Sequence, residues 1–310
     1  MTDLTFLQPL LHPLPLALLG LCIGSFLNVV VHRLPRMLER QWWQDVAQQL
    51  ADADSHARTL GRAPAPVLAD SAGALQQALD ALPALTLSRP RSQCPHCGAP
   101  IAWHDNLPLL GWLKRRGRCA ACGGRIALRY PLLELGTAAL FAAIGARFEA
   151  QPLALLWCAV AATLLALALI DWDTTLLPDA LTLPLLWAGL VAAALDWTLP
   201  LPQALWGAVA GYGSLWSVYW LFKLATGKEG MGYGDFKLMA ALGAWFGAWM
   251  IIPILLMASL LGAVVGIGMK LTHSLRDGVY VPFGPFLAGA GLVVMLAGTR
   301  AVLGWMGWSF

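Results

Sequence analysis

Runs of about 20 apolar residues recur along the chain, and no other feature of the sequence restricts its fold as strongly. A helix needs about 20 such residues to cross a bilayer, because its backbone polar groups must be satisfied within the segment. Of the 310 residues, 58% are hydrophobic and 12% are charged, whereas soluble domains have about 45–50% apolar and about 25% charged residues. The sequence therefore predicts an all-α polytopic membrane protein.

We predict about eight transmembrane helices. The sixth and seventh are only weakly separated around residues 250–253, so seven helices is the open alternative. We expect no cleavable signal, since no basic segment precedes the first helix. The predicted helices cover residues 14–33, 131–148, 153–171, 180–197, 203–223, 236–250, 251–271 and 283–304.

A polar segment at residues 33–129 interrupts the apolar pattern. It carries 13 of the 20 Lys and Arg residues against seven acidic ones. Basic segments beside a membrane favour the cytoplasmic side, so we expect this loop, and the junctions 171–179, 223–235 and 272–280, to face the cytoplasm. The predicted domains are an N-terminal transmembrane helix (1–33), a cytoplasmic domain (34–130) and a multi-helix transmembrane domain (131–310).

Four cysteines in the polar segment form two CxxC pairs, "CPHC" at 94–97 and "CAAC" at 119–122. This spacing is typical of a zinc ribbon, in which four thiolates close a structural site. Disulfides are disfavoured in a reducing cytosol, and a thioredoxin-like pair needs a βαβ context. His96 and His104 are weaker ligand candidates, and Cys22 and Cys158 are interpreted as packing residues. The predicted zinc ligands are Cys94, Cys97, Cys119 and Cys122.

Three carboxylates occur in "IDWDTTLLPD" at 170–179, where two apolar segments meet. Asp173 is explained by a turn, and Asp179 follows Pro178 at a helix start, where a carboxylate can cap free N–H groups. Asp171 ends an otherwise apolar helix, and an ionisable residue there is costly. Asp171 is therefore the strongest functional candidate of the three.

A glycine-rich stretch, "GKEGMGYGDFKLM", places Asp235 at the start of a later helix on the same membrane face. A phosphate-binding loop would need a preceding strand and a Walker pattern. Glycines also let a backbone approach another chain closely, which suits a site for an extended peptide. Two carboxylates from separate helices could share one proton, and together activate water and polarise a peptide carbonyl, as in aspartyl proteases.

At these residues the chain resembles the type IV prepilin peptidases, membrane aspartyl proteases of the GxGD class. The matching blocks are "GSFLNVVVHRLP" at 24–35, the two CxxC pairs, "RYPLLELGTAALF" at 129–141, "IDWDTTLLPD", and "GYGD" at 232–235. The resemblance implies that Asp171 and Asp235 form the catalytic pair.

The same resemblance implies a bifunctional enzyme of the bacterial inner membrane. Such an enzyme cuts the leader from prepilins and type II secretion pseudopilins on the cytoplasmic side, then methylates the new amino terminus with S-adenosylmethionine. Its expected partners are these substrates and membrane lipid, with no nucleic acid. The methyl-donor site is unknown, although the block containing Gly24, Asn28, Arg33 and Pro35 and the zinc loop are candidates.

Two alternatives stay open from the sequence. The first is a GxGD peptidase without methyltransferase activity. The second is a transporter or channel that uses Asp171 and Asp235 as a proton or cation relay. The position of the glycines at a cytoplasmic helix start, rather than at the bilayer midplane, disfavours the relay.

Overall fold

The protein is described by a computed structural model that covers residues 4–149, 151–272 and 281–308. Contacts divide the chain into two compact units, Met1–Leu27 with Arg129–Phe310, and Asn28–Leu128. Among the described residues there is no β-strand, and the only β-pairs are two isolated bridges in the second unit. The all-helical fold class is confirmed for this part of the chain.

Every predicted helix has a helical counterpart in the structure. Short 3₁₀ helices cover Leu4–Leu11, Trp103–Asp105 and Ala248–Met250. The α-helices are α1 (Pro13–Ala51), α2 (Ala53–Leu60), α3 (Pro66–Asp80), α4 (Leu110–Lys114), α5 (Arg129–Arg147), α6 (Leu153–Thr174), α7 (Asp179–Ala194), α8 (Leu201–Thr226), α9 (Tyr233–Phe246), α10 (Ile251–Leu271), α11 (Gly284–Ala297) and α12 (Thr299–Trp305).

Fewer helices than the predicted eight are long and apolar enough to cross a bilayer on their own. Within the described ranges these are Pro13–Ala51, Leu153–Thr174 and Ala248–Leu271, with α11 and α12 as a fourth if the bent pair counts as one span. The 14 residues of α9 reach only about 21 Å, short of the roughly 30 Å hydrocarbon core. The chain is therefore a multi-pass membrane protein in which not every helix spans alone.

Helix α9 lies at the centre of the first unit. From Asp235 to Phe246 every residue except Lys237 is buried, and α7, α8 and α11 pack against it. A helix that is apolar all round has no face for solvent, so it is stable only when enclosed by other elements. The enclosing helices thus hold the start of α9, and with it Asp235, in place.

Several predicted boundaries differ from the structure. The sixth and seventh helices separate at Gly247 (φ +83°), slightly before residues 250–253, and the predicted helix 283–304 bends by 108° at Gly298 (φ +88°). Glycine adopts positive φ without the steric cost of a Cβ atom, and this conformation ends the helix at Gly247 and at Gly298. The first helix continues through Pro35 to Ala51, because the helix-forming residues after it outweigh one missing N–H.

The predicted junction at 272–280 lies outside the described residues from position 273 onward.

In the second unit, part of the stretch at 38–90 is helical. Asp52 caps α2, accepting hydrogen bonds from the N–H groups of Asp54 and Ser55, and Gly61 ends it with φ of +68°. These are the standard start and stop signals of a short helix. The guanidinium of Arg33 donates to the Thr86 carbonyl oxygen at 3.0 Å, which fixes the chain after α3 to α1.

Candidate active site and metal centre

Asp171 lies one turn before the end of α6 and is only 5% exposed. The helix continues past the predicted end at residue 171 to Thr174, and Thr175 ends it in the left-handed conformation. One Asp171 carboxylate oxygen, Oδ2, accepts a hydrogen bond of 3.0 Å from the backbone N–H of Gly284. A buried carboxylate without a donor would be strongly unfavourable, so this hydrogen bond stabilises its position.

Asp235 lies in the first turn of α9 and is 7% exposed. Gly232 is the N-cap residue, and its carbonyl oxygen accepts from the Asp235 N–H at 3.3 Å. A carboxylate in the first turn of a helix is favoured by the positive end of the helix dipole. The local sequence therefore both starts α9 and points an acidic residue into the protein interior.

The structure brings the two predicted catalytic aspartates to one place. The side chain of Leu177 lies 3.1 Å from a Cβ built on Gly284, which contacts Asp171, and 2.7 Å from one built on Gly234, which precedes Asp235. The Asp171 carboxylate also acts electrostatically on that of Asp235. Both carboxylates therefore belong to one buried cluster around Leu177, although they are 64 positions apart in the sequence.

The other two aspartates of the junction are held in ion pairs. Asp173 receives two hydrogen bonds of 2.8 Å from the guanidinium of Arg129, which joins α6 to α5. Both carboxylate oxygens of Asp179 accept from Lys237 Nζ, at 2.7 and 2.8 Å, which joins α7 to α9. These pairs supply a structural role for Asp173 and Asp179, with partners more distant than the turn or cap that the sequence suggests.

Close approach explains one glycine of the predicted glycine stretch. A Cβ atom on Gly234 would lie 2.7 Å from Leu177 Cβ, which is too close for any side chain there. The backbone before Asp235 can therefore pack directly against the α6–α7 connection. The use of these glycines to admit a peptide stays a prediction.

In the second unit, the four predicted cysteine ligands lie together. Their sulfur atoms are all within 4.8 Å of one another, and the Cys94–Cys122 and Cys97–Cys119 Sγ distances are both 3.9 Å. A tetrahedral zinc ion with Zn–S bonds of about 2.3 Å requires sulfur separations of about 3.8 Å. The cluster therefore has the dimensions and the donor set of a four-thiolate zinc site.

Both CxxC pairs adopt the same turn. The N–H of the first cysteine in each pair donates to the carbonyl oxygen five residues later, at 2.9 Å in both cases. The glycine after each second cysteine, Gly98 or Gly123, has φ near +70°, a conformation that favours glycine. The repeated pattern is thus CxxCG, and the glycine belongs to the motif as much as the cysteines do.

The pKa values of two of the four thiols are shifted in opposite directions. The N–H groups of Cys122 and Ala121 lower the pKa of Cys119 to about 6. For Cys97, the N–H of Ala99 has a lowering effect, but hydrogen bonds with the other thiols and burial raise the pKa to about 11. Metal binding requires thiolates, so Cys119 is better prepared for it than Cys97.

Asp105 anchors the loop between the two CxxC turns. Its carboxylate accepts hydrogen bonds from Arg115 Nε at 2.8 Å and from Lys114 Nζ at 2.9 Å. Together these two contacts lower the pKa of Asp105 to about 2, and the hydrogen bond from Arg115 makes the larger contribution. His96 Nε2 donates to the Arg125 carbonyl oxygen at 3.1 Å, so His96 lies beside the cluster as a supporting residue.

Comparison with known proteins gives family matches over both parts of the chain. A family model described as the bacterial peptidase A24 N-terminal domain matches residues 18–148, and one for the type IV leader peptidase family matches residues 158–267. A prepilin leader peptidase/N-methyltransferase of Pseudomonas putida is 46% identical over 282 residues, which is 90% of this chain and 88% of the relative. The chain belongs to the type IV leader peptidase family.

Other relatives of this leader peptidase carry the same name. The protein from Aeromonas hydrophila is 47% identical over 307 residues, covering 95% of this chain and 96% of its own length. The protein from Pseudomonas aeruginosa is 44% identical over 299 residues, covering 94% and 93%. No solved structure matches the chain. The resemblance to the type IV prepilin peptidases is confirmed.

Three residues of this leader peptidase carry no clear signal in the sequence. Arg129, Lys237 and Gly284 contact the aspartate cluster or its neighbours, but their partners lie 44, 58 and 113 residues away. Only Gly284 has a local hint, because Pro285 directly after it is typical of a helix start. Spacing along the chain cannot reveal which side chain that start faces.

A Rossmann-type site needs a glycine-rich turn behind a strand, and residues 4–149, 151–272 and 281–308 contain no strand. A methyl donor bound in the Rossmann manner therefore does not fit these residues.

Proposed function

We infer that this leader peptidase family member cleaves the leader of type IV prepilins and type II secretion pseudopilins, and N-methylates the new amino terminus. Its relatives are named for both activities. The match to them covers at least 90% of the chain and includes the N-terminal domain as well as the peptidase domain. The observation that carries the proposal is the buried Asp171–Asp235 cluster between α6, α9 and α11.

The proposed peptidase reaction uses one carboxylate in each protonation state. Two nearby carboxylates resist ionising together, so the pair retains one proton. The ionised member takes a proton from water, which attacks the scissile carbonyl, while the protonated member donates a hydrogen bond to the carbonyl oxygen. The proton taken from water then passes to the leaving amine, and the pair returns to its starting state.

We place this site at the cytoplasmic side of the bacterial inner membrane. Arg129 and Lys237 form ion pairs within two residues of Asp171 and Asp235, and basic residues beside membrane helices favour the cytoplasmic side. With the eight predicted helices, the unit that carries the four-cysteine cluster faces the same compartment. A cysteine placed at position 232 should react with a membrane-impermeant maleimide in inverted vesicles and resist it in intact spheroplasts.

The four-cysteine cluster is proposed to hold one structural zinc ion. Four protein ligands leave no position for water or substrate, so the metal stabilises the fold and does not take part in cleavage. Purified protein should contain about one zinc ion per chain. The Cys94→Ser variant should lose it while Cys22→Ser, outside the cluster, retains it. A fully active and metal-free preparation would contradict this role.

Asparagine variants test the aspartate pair. Asp171→Asn and Asp235→Asn each keep the side-chain shape but cannot share a proton, so each should abolish conversion of prepilin to its mature length. Asp173→Asn is the matched control, because it removes a carboxylate from the same helix end without touching the cluster. Normal processing by both of the first two variants would refute the dyad.

The methyltransferase activity needs a separate readout. Purified enzyme is incubated with prepilin and S-adenosylmethionine carrying a labelled methyl group, and the mature chain is analysed by mass spectrometry. We expect both leader removal and one labelled methyl group on the new amino terminus. Cleavage without label would leave a peptidase alone, the first of the two sequence-based alternatives.

A further inference from the structure

Gly284, the first residue of α11, lies directly against the Asp171 carboxylate. Its N–H donates to Asp171 Oδ2 at 3.0 Å, and both residues are buried. Within the described residues it is the one hydrogen bond to this carboxylate. The start of a helix offers free N–H groups and a positive dipole end, both of which favour a nearby carboxylate.

The space around Gly284 is too small for a side chain. A Cβ atom there would lie 2.6 Å from Asp171 Oδ2 and 3.1 Å from both Asp171 Cγ and Leu177 Cδ1. Real Cβ atoms essentially never approach another heavy atom to less than 3.0 Å. The φ angle of Gly284 is outside the left-handed region, so glycine is required here for space and not for an unusual backbone conformation.

We propose that Gly284 is a positioning residue for the cleavage reaction. Its amide fixes one oxygen of the Asp171 carboxylate, and its missing side chain lets the carboxylate remain against the helix start. The second oxygen, Oδ1, is then left for proton exchange with water and Asp235. This inference rests on the proposed catalytic role of Asp171, and it assigns α11 a direct part in the peptidase reaction.

The physical basis is the sensitivity of proton transfer to geometry. A catalytic carboxylate must be held within about 0.5 Å and 10–20° of its productive position, and a misplacement of about 1 Å can cost 10²-fold in rate. In Gly284→Ala the new Cβ atom would lie 2.6 Å from Asp171 Oδ2, whereas an ordinary contact begins at 3.4 Å. Either the carboxylate or α11 must therefore shift by about 0.8 Å. Such a shift should slow the chemical step rather than weaken substrate binding.

The test compares three alanine variants of the same helix. Gly284→Ala introduces the contact with Asp171. Gly291→Ala introduces an equally tight contact, 2.5 Å from Leu242 Cδ2, away from the aspartates, and Gly289→Ala meets no atom within 4 Å. We expect kcat for a prepilin peptide to fall about 10²-fold in Gly284→Ala with KM changed less than about twofold. The other two variants should retain kcat within about threefold of the parent.

Stability measurements keep the proposal testable even if Gly284→Ala folds poorly. The melting temperature is measured for Gly284→Ala, for Asp171→Ala and for the double variant. If the added methyl group collides with the carboxylate, removal of the carboxylate should recover most of the stability lost by Gly284→Ala. Additive losses would show that the methyl group is accommodated elsewhere, which overturns the proposed contact.

The outcomes separate this inference from the proposed function. Full activity of Asp171→Asn would overturn the catalytic pair and, with it, any positioning role for Gly284. Loss of activity in Asp171→Asn combined with a normal kcat in Gly284→Ala would overturn the positioning role alone. A kcat loss in Gly291→Ala as large as that in Gly284→Ala would also overturn it, because general stress on α11 would then explain both.

Discussion

The crossing of α8 and α9 depends on two facing glycines, and an alanine at either should push the helices apart. A Cβ atom on Gly243 would lie 2.1 Å from the Gly207 carbonyl oxygen, and one on Gly207 would lie 2.1 Å from the Gly243 carbonyl oxygen. Both obstacles are backbone atoms, so no side-chain rotation can relieve them. Small residues let membrane helices approach this closely.

The size of the perturbation follows from these distances. An ordinary contact begins at 3.4 Å, so Gly243→Ala requires a displacement of about 1.3 Å between the two backbones, which typically costs about 1–3 kcal/mol. Asp235 precedes Gly243 by two helical turns, or about 12 Å, on the same enclosed helix. Part of the displacement should therefore reach the carboxylate and reduce the cleavage rate as well.

The assay combines unfolding and cleavage for matched variants. The free energy of unfolding is measured by sodium dodecyl sulfate titration in mixed micelles, and the cleavage rate is measured with a prepilin peptide. Gly213→Ala, on α8 with no atom within 4 Å of its Cβ position, is the control. We expect Gly243→Ala to be less stable than Gly213→Ala by about 1–3 kcal/mol. Equal stability of the two variants would refute the close crossing.

Three further predictions concern other contacts. In metal-free protein at pH 7, iodoacetamide should modify Cys119 faster than Cys97, although Cys97 is the more exposed of the two. Cys119, with a pKa of about 6, is roughly 90% thiolate at this pH, whereas Cys97 has a pKa of about 11. Peptide mass mapping would show the difference, and zinc should protect both cysteines. Trp245→Phe should lower the free energy of unfolding by about 1–3 kcal/mol, because the buried Leu185 carbonyl oxygen loses its 2.9 Å hydrogen bond from the indole N–H. An unchanged midpoint in the sodium dodecyl sulfate titration would contradict this. Asp105→Asn should destabilise the unit that carries the four cysteines by the same amount at pH 8 and at pH 5. The carboxylate of Asp105, with a pKa lowered to about 2, contributes its full stabilisation until the pH falls below about 4. Chemical denaturation at the two pH values measures the effect, and a smaller effect at pH 5 would be inconsistent with the lowered pKa.

The helices and the clustering of the four cysteines follow from the sequence because each is encoded locally. An apolar run of about 20 residues has few alternatives to a buried or spanning helix. The two CxxC pairs carry their own geometry, since each turn is closed by bonds within six residues. The same is true of the two aspartates as candidates, because a carboxylate at the end of an apolar helix is conspicuous wherever the chain folds.

The breaks and the long-range partners are a different matter. Gly247 and Gly298 end helices in the structure, yet glycine inside an apolar run is equally compatible with a continuous membrane helix. The N–H of Gly284 reaches Asp171 only because α6 and α11 pack together. Such contacts depend on tertiary packing, which periodicity and spacing along one chain do not contain.

The enclosure of α9 bears on how a reaction that consumes water proceeds beside lipid. Gly232 and Tyr233, at the open end of this helix, are exposed, while the residues after Asp235 are sealed on almost every side. In the proposed orientation, water reaches the two carboxylates from the exposed end of α9, and the buried remainder of the helix prevents it from passing further into the protein. In that orientation the hydrophobic segment of a prepilin would stay in the lipid, and only its scissile bond would reach the exposed end of α9.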